Sequence, residues 1–277
     1  MGNPKALKQY GQHWLVHPPS LHAIAAAANL RGDETVLEIG PGTGNLTELL
    51  LAQAKQVLAV EIDQRLLQGL QKRFEEEKSD RLWVLQGDIL TTNLNELPVA
   101  PEVVIANIPY YITGPILEKL LGPIDQPIQQ FNQIILLVQK EVGERLAAPP
   151  GSKTYGALSV KVQYLADVAV VCSVPAPCFR PKPKVDSVVI HLAPRPFPQV
   201  AQDPKFLKTL VNASFATRRK MLRNCLKSLV TPEQWHEFTQ KQGISKCVRA
   251  EELRVEDFVA LSNFLGGAYN DQQRVIQ

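Results

Sequence analysis

The chain has 277 residues, 45% of them apolar and 21% charged, with a net charge of +3. That length suits one large domain, or a large one with a small one, and supplies a core that needs no disulfides. The composition excludes collagen-like, mucin-like and disordered chains, and the longest aliphatic runs, near Ala23–Ala28 and Ile134–Val138, fall far short of the ~20 residues a membrane span requires.

At the N-terminus, Met1-Gly2-Asn3-Pro4-Lys5 lacks the apolar run of a secretory signal, and Ala6 stands where myristoylation requires Ser or Thr. Thr35–Ile39 reads as a buried strand that runs straight into Gly40-Pro41-Gly42-Thr43-Gly44, after which Leu46, Leu49, Leu50 and Leu51 recur at helical spacing. A second strand, Val57–Ile62, precedes a helix through Leu66, Leu67, Leu70 and Phe74. A third, Leu82–Leu85, leads to Gly87-Asp88, and a fourth, Val103–Ala106, leads to Asn107. A fifth, Gln133–Val138, leads into a helix with Val142 and Leu146. Strand and helix alternate, which predicts an α/β fold: a Rossmann-like parallel sheet with helices on both faces. After about Tyr155 the pattern changes. Val160–Tyr164, Ala166–Cys172 and Val185–Leu192 read as strands of an antiparallel edge, and Pro194, Pro196, Pro198 and Pro204 mark a linker. Beyond it Phe206–Leu229, Pro232–Gln242 and Val255–Leu265 read as helices, so the expected division is 1–195 for the sheet domain and 196–277 for a small all-helical one.

Cys172, Cys178, Cys225 and Cys247 show no pair at zinc-knuckle or redox spacing, so no metal site is expected. Scattered thiols fit a reducing compartment, and the cytoplasm is the expected location. The charge is unevenly spread. Between Ala176 and Lys227 there are eleven Lys or Arg against Asp186 and Asp203, a local charge of +9 that leaves −6 for the rest of the chain. Such asymmetry is the footprint of a surface that binds a polyanion. Arg218, Arg219, Lys220 and Arg223 concentrate it on a helix-like stretch beside Phe215.

A glycine turn between strand and helix lets the backbone approach a ligand closely. Two carboxylates sharpen that signal. Glu61 ends the second strand, where it can accept from two ribose hydroxyls, and Asp88 follows the third, where it can accept from an adenine amine with Ile89 against the ring. The spacing Gly-Xaa-Gly-Xaa-Gly departs from the dinucleotide pattern, and no Lys-Ser or Lys-Thr follows to make a phosphate loop. Asn107-Ile108-Pro109-Tyr110 then suits chemistry on a nucleobase amine. The Asn107 side-chain oxygen and the Ile108 carbonyl can hold the amine hydrogens and stabilise the positive charge that develops during attack on a methyl sulfonium. Pro109 fixes the backbone so that the carbonyl stays aimed, and Tyr110 offers a face for stacking.

Glu38 to Thr47 and Asn107-Ile108-Pro109-Tyr110 together resemble the rRNA adenine N6-dimethyltransferases. Three further segments are similar to that family: Lys8-Gln9-Tyr10-Gly11-Gln12-His13-Trp14-Leu15, whose usual ending is Gly-Gln-Asn-Phe-Leu; Cys178 to Ser187; and Phe215 to Asn224, which looks like a basic helix. The resemblance implies S-adenosyl-L-methionine as methyl donor, a class I methyltransferase fold, and small-subunit (16S) rRNA as substrate within an assembling small ribosomal subunit, with the enzyme a monomer. By matching positions it implies cofactor contacts from His13, Leu15, Gly40, Glu61, Asp88 and Asn107, beside Gly42, Ile62 and Ile89. His13 stands where the family has Asn. Phe179 is implied to face Tyr110 across the target base, and Arg180, Lys182, Lys184, Arg218, Arg219, Lys220 and Arg223 to meet RNA. Competing readings are a large-subunit rRNA methyltransferase conferring antibiotic resistance, a DNA adenine methyltransferase, and a non-catalytic nucleic-acid-binding relative. The Phe179–Ser187 segment and the Phe215–Asn224 helix favour the small-subunit enzyme by resemblance.

Overall fold

Strands covered by helices on both faces lose the polar–apolar alternation of a half-exposed sheet and become continuous apolar runs. Thr35–Ile39, Gln56–Glu61, Val103–Asn107 and Gln133–Gln139 are such runs, buried along nearly their whole length. The computed structural model describes residues 6–75, 80–217 and 220–274. In chain order its elements are β1 (Trp14–Leu15), α1 (Pro18–Ala27), β2 (Thr35–Ile39), α2 (Asn45–Leu51), β3 (Gln56–Glu61), α3 (Gln64–Arg73), β4 (Leu82–Gln86), β5 (Val103–Asn107), α4 (Thr113–Leu121), β6 (Gln133–Gln139) and α5 (Lys140–Leu146). These are followed by α6 (Ala157–Leu165), β7 (Ala166–Val174), β8 (Phe179–Arg180), β9 (Ser187–Pro194), α7 (Pro204–Ser214), α8 (Leu222–Cys225), α9 (Pro232–Gln242) and α10 (Val255–Arg274).

Seven strands form one sheet in the order β4-β3-β2-β5-β6-β9-β7. β4, β3, β2, β5 and β6 run parallel, while β9 pairs antiparallel with β6. The chain winds outward from β2 through β3 and β4 on one side, then returns to lay β5 and β6 on the other. That reversal is a topological switch point, and in open α/β sheets ligands bind outside the carboxyl ends of the strands there. A second, two-stranded sheet pairs β1 with β8 in the register Trp14↔Arg180 and Leu15↔Phe179.

The chain divides into two compact units, one comprising Met1–Leu121, Ile128–Gly143 and Val168–Pro194, the other Gly122–Pro127, Glu144–Asp167 and Arg195–Gln277. The second unit thus takes in residues well before the linker at which a single boundary is expected. The reason is α6, which packs on α7 and α10. Its core includes Phe238 and Phe258, both fully buried, with Phe215 against Phe258 at a ring-centroid distance of 5.8 Å.

Two predicted elements are corrected. Val160–Tyr164, expected as a strand, lies within helix α6, started at Gly156, whose N–H donates to Ser159 Oγ (3.1 Å). Its β-branched valines imitate a strand, and a short run of buried residues does not fix the period. The single helix expected over Phe206–Leu229 stops at Ser214 and resumes only as the four residues of α8. Where it resumes, Leu222 N–H donates to the Val248 carbonyl (2.8 Å) and Met221 bridges to Arg249. Within the described part of Phe215–Asn224 the helical residues are those that open α8.

Candidate active site

The carboxyl ends of β2 to β5, together with Tyr10–Trp14, line one cleft of about 310 Å³. The glycine loop after β2 shapes its floor. Gly40 and Gly42 hold φ of +68° and +60°, a region that side chains disfavour. At Gly40 a Cβ would meet nothing nearer than the Asn107 carbonyl at 3.9 Å, so space beside the backbone is left open. At Gly42 a Cβ would lie 2.9 Å from Trp14 Cδ1.

Glu61, at the end of β3, is 4% exposed. Its Oε2 accepts from Gly42 N–H (3.1 Å) and its Oε1 from Asp63 N–H (2.9 Å), so the carboxylate ties the glycine loop to the start of α3. Burial pushes its pKa above the usual carboxylate range, and the two backbone donors oppose that rise. A carboxylate offers about four lone-pair sites, so acceptors remain for a diol. Glu38, within β2, is buried more deeply. Burial drives its carboxyl up to about 8, against the pull of the Thr47 hydroxyl bond (2.6 Å) and with the Glu61 charge adding to the rise. At neutral pH Glu38 is protonated, which spares Glu61 a second buried charge.

Asp88, half-buried beyond β4, accepts Leu90 N–H on Oδ1 at 2.9 Å, and Ile89 behind it is 4% exposed. Ile62 lines the cleft as an exposed apolar side chain. These groups give the cleft a buried carboxylate, a more open one and apolar isoleucines, a set able to accept hydrogen bonds from hydroxyls and an amine and to pack on a ring.

Asn107 ends β5. Its Nδ2 donates to the His13 carbonyl at 3.1 Å, which fixes the amide orientation and leaves Oδ1 as its acceptor. Ile108 is buried and Pro109 extended (φ −61°, ψ 131°). The Tyr110 hydroxyl lies 2.6 Å from Ser187 Oγ, and its ring is nearly parallel (16°) to that of His13, 6.0 Å away. Burial raises the pKa of Tyr110, so it remains a neutral phenol. The N-terminal segment is strapped down by Gln12, whose Nε2 donates to Asp63 Oδ2 (2.8 Å) and whose Oε1 accepts Leu7 N–H (2.7 Å).

The structure thus brings His13, Gly40, Gly42, Glu61, Ile62, Asp88, Ile89 and Asn107 to Tyr110 into one cleft. Two expected residues are placed elsewhere. Leu15 is buried in the core, its carbonyl accepting from Asn45 Nδ2 at 3.2 Å. Phe179 has no exposed surface, belongs to the same core cluster and does not line the cleft, because its pairing with Leu15 turns it inward. Arg180, Lys182 and Lys184 are exposed on the stretch between Phe179 and the Ser187 that anchors Tyr110. In the second unit Lys220 and Arg223 are exposed, while Arg218 and Arg219 lie outside the described residues. Among the residues that sequence reasoning does not anticipate at the site are Trp14 as a cleft wall and Glu38 as a buried acid. Both lie inside motifs that mark the site, the first beside His13 and the second at the head of the glycine loop.

A family model described as ribosomal RNA adenine dimethylase matches residues 3–266. A protein of Gloeobacter violaceus named ribosomal RNA small subunit methyltransferase A is 54% identical over 259 residues, covering 94% of this chain and 93% of that one. Among solved structures, a dimethyladenosine transferase from Plasmodium falciparum aligns with a TM-score of 0.73 at 30% identity, over 90% of this chain and 96% of that one. The 23S rRNA methyltransferase ErmE aligns with a TM-score of 0.75 at 26% identity, over 91% and 99%.

Proposed function

The chain belongs to the ribosomal RNA adenine dimethylase family, and from that premise we propose that it methylates the N6 amines of two adjacent adenosines in a 3′-terminal hairpin of small-subunit (16S) rRNA, with S-adenosyl-L-methionine as donor. The observation that carries this reading is a single cleft lined both by Glu61 and Asp88, whose acceptors suit a nucleoside, and by Asn107 and Ile108, whose oxygens suit an amine. Relatives at about half identity that are named for the small subunit favour that substrate over the large one.

The residues fit the cofactor. Glu61 would take the ribose hydroxyls and Asp88 the adenine amine, with Ile62 and Ile89 along the ring and the open backbone of Gly40 beside it. Trp14 adds a buried indole N–H that has no protein partner among the described residues. Bound there, the cofactor supplies a methyl group made electrophilic by its sulfonium. The protein's own task is to present the attacking amine. Asn107 Oδ1 and the Ile108 carbonyl accept its two hydrogens, which localises the nitrogen lone pair and stabilises the positive charge of the transition state. No strong base is needed, because the methylated nitrogen becomes acidic once it is charged. Unstacking the target adenine costs a few kcal/mol, and stacking on an aromatic ring returns ~1–3 kcal/mol. We assign that stacking to Tyr110, whose hydroxyl is held by Ser187, since Phe179 would have to leave the core to share it.

Arg180, Lys182 and Lys184 are exposed on the stretch that leads to Ser187. With Lys220, Arg223, Arg218 and Arg219 they supply the cations for rRNA phosphates. The enzyme acts as a monomer in the cytoplasm on an assembling small subunit. Transfer of labelled methyl groups to small-subunit particles that lack dimethyladenosine, followed by mapping of the product, tests the reading. Dimethylation of two neighbouring adenosines near the 3′ end supports it. Transfer to large-subunit rRNA instead, or to neither, overturns it.

A further inference from the structure

Trp14 Nε1 is buried without a hydrogen-bond partner among the described residues, in a residue that lines both the cleft and a void of about 30 Å³. An indole N–H can only donate, and buried donors are nearly always paired. The side-chain amides of the cleft each spend one of their two hydrogens within the protein. Gln12 Nε2 donates to Asp63 and Asn107 Nδ2 to the His13 carbonyl. His13 Nδ1 lies 2.7 Å from the Pro181 carbonyl, which can only accept, so Nδ1 carries a proton. That nitrogen of His13 is therefore spent on strapping β1 to the chain after β8.

S-adenosylmethionine carries one anion, the α-carboxylate of its methionine part. Glu61 and Asp88 can accept hydrogen bonds from the rest of the molecule, but they repel that group. It requires a donor, and a charge-assisted hydrogen bond is the strong kind. Resting on the cofactor reading above, we propose that Trp14 is a cofactor-binding residue whose indole N–H donates to this carboxylate, in place of a side-chain contact from His13. The packing agrees, since Gly42 lacks a Cβ where one would strike the indole, so loop and ring meet closely.

The test compares S-adenosylmethionine with its decarboxylated analogue, which keeps the adenosine, sulfonium and ammonium but lacks the anion. Binding of both to the wild type and to Trp14→Phe is measured by calorimetry. Loss of a hydrogen bond to a charged acceptor predicts about ten-fold or greater weakening for S-adenosylmethionine, with the analogue unchanged within about two-fold. Equal weakening of both ligands, or of neither, overturns the proposal. An independent arm needs no variant that folds: in wild-type protein with ¹⁵N-labelled indoles, the Trp14 N–H resonance moves on binding S-adenosylmethionine and stays near its free position with the analogue. The same shift with both ligands, or none with either, assigns the N–H to packing or to a water in the void and also overturns it. If the wild type binds neither ligand, the cofactor reading itself fails, which is a separate result.

Discussion

Replacing Glu38 by Gln isolates the buried acid beneath the cleft. Glu38 is 1% exposed, and its carboxyl rises from 4.5 to about 8 in the folded state, chiefly because burial penalises the charge. With the folded value above the unfolded one, the folded protein binds the extra proton throughout that window. The stabilisation from that proton is complete below pH 4.5, declines as pH rises, and is gone above about 8. At about 1.36 kcal/mol per unit, the wild type loses about 4–5 kcal/mol across the window relative to a neutral side chain of the same shape. Gln cannot ionise, and its carbonyl still accepts from the Thr47 hydroxyl. Urea unfolding of both proteins at a series of pH values gives the difference free of every other titrating group. It should be near constant below pH 4.5 and climb in favour of Glu38→Gln to a plateau above 8. Cofactor affinity near neutral pH should not change, because Glu38 is already uncharged there. A stability difference that stays flat from pH 5 to 9 would show that Glu38 ionises freely and would refute the argument.

Asn107→Ala should collapse turnover even at saturating RNA, because the missing acceptor matters most once the amine nitrogen is charged; cofactor affinity, measured by calorimetry, separates this from a binding defect. Phe179→Ala should cost about 3–5 kcal/mol of unfolding free energy as a core truncation, whereas Tyr110→Phe should retain most turnover, since stacking uses the ring. A near-neutral Phe179→Ala in urea unfolding would contradict its placement in the core. Gly42→Ala should weaken cofactor binding, because its Cβ would press to 2.9 Å from Trp14 on a strained backbone, and titration with S-adenosylmethionine checks this. Substituting Lys220 and Arg223 with Ala should lower RNA affinity and reduce the log–log salt slope by close to one unit for each phosphate no longer neutralised. An unchanged slope would make this surface a solvated face only.

The sheet is legible in the sequence because burial on both faces leaves a local trace. Thr35–Ile39 and Gln133–Gln139 announce themselves as apolar runs, and the alternation with helices dictates parallel pairing. α1 is harder to see because its alanines give almost no amphipathic contrast, two prolines opening it notwithstanding. α4 carries Ile116, Leu117, Leu120 and Leu121 at helical spacing, a short signal between two stronger strands. Where the chain turns at Phe215, nothing local marks the break. Phe206–Leu229 keeps an apolar rhythm throughout, and the stop is imposed by bonds from Met221 and Leu222 to residues near Val248.

The site divides along the same line. Glu61, Asp88 and Asn107 are readable because each sits where a strand ends, and parallel strands deliver their ends to one edge. Phe179 is not. An aromatic beside a Pro-Lys-Pro turn serves a pocket or a core equally well, and only the β1–β8 register decides, since opposing Leu15 to Phe179 sends that ring inward. The same register sets Trp14 opposite Arg180 and brings His13 within reach of the Pro181 carbonyl. One short pairing between segments distant in sequence therefore settles three side chains of the N-terminal motif. It turns Leu15 into core, His13 into a strap and Trp14 into a wall whose indole N–H has no partner among the described residues, and the β1–β8 pairing behind these outcomes lies in no window along the chain.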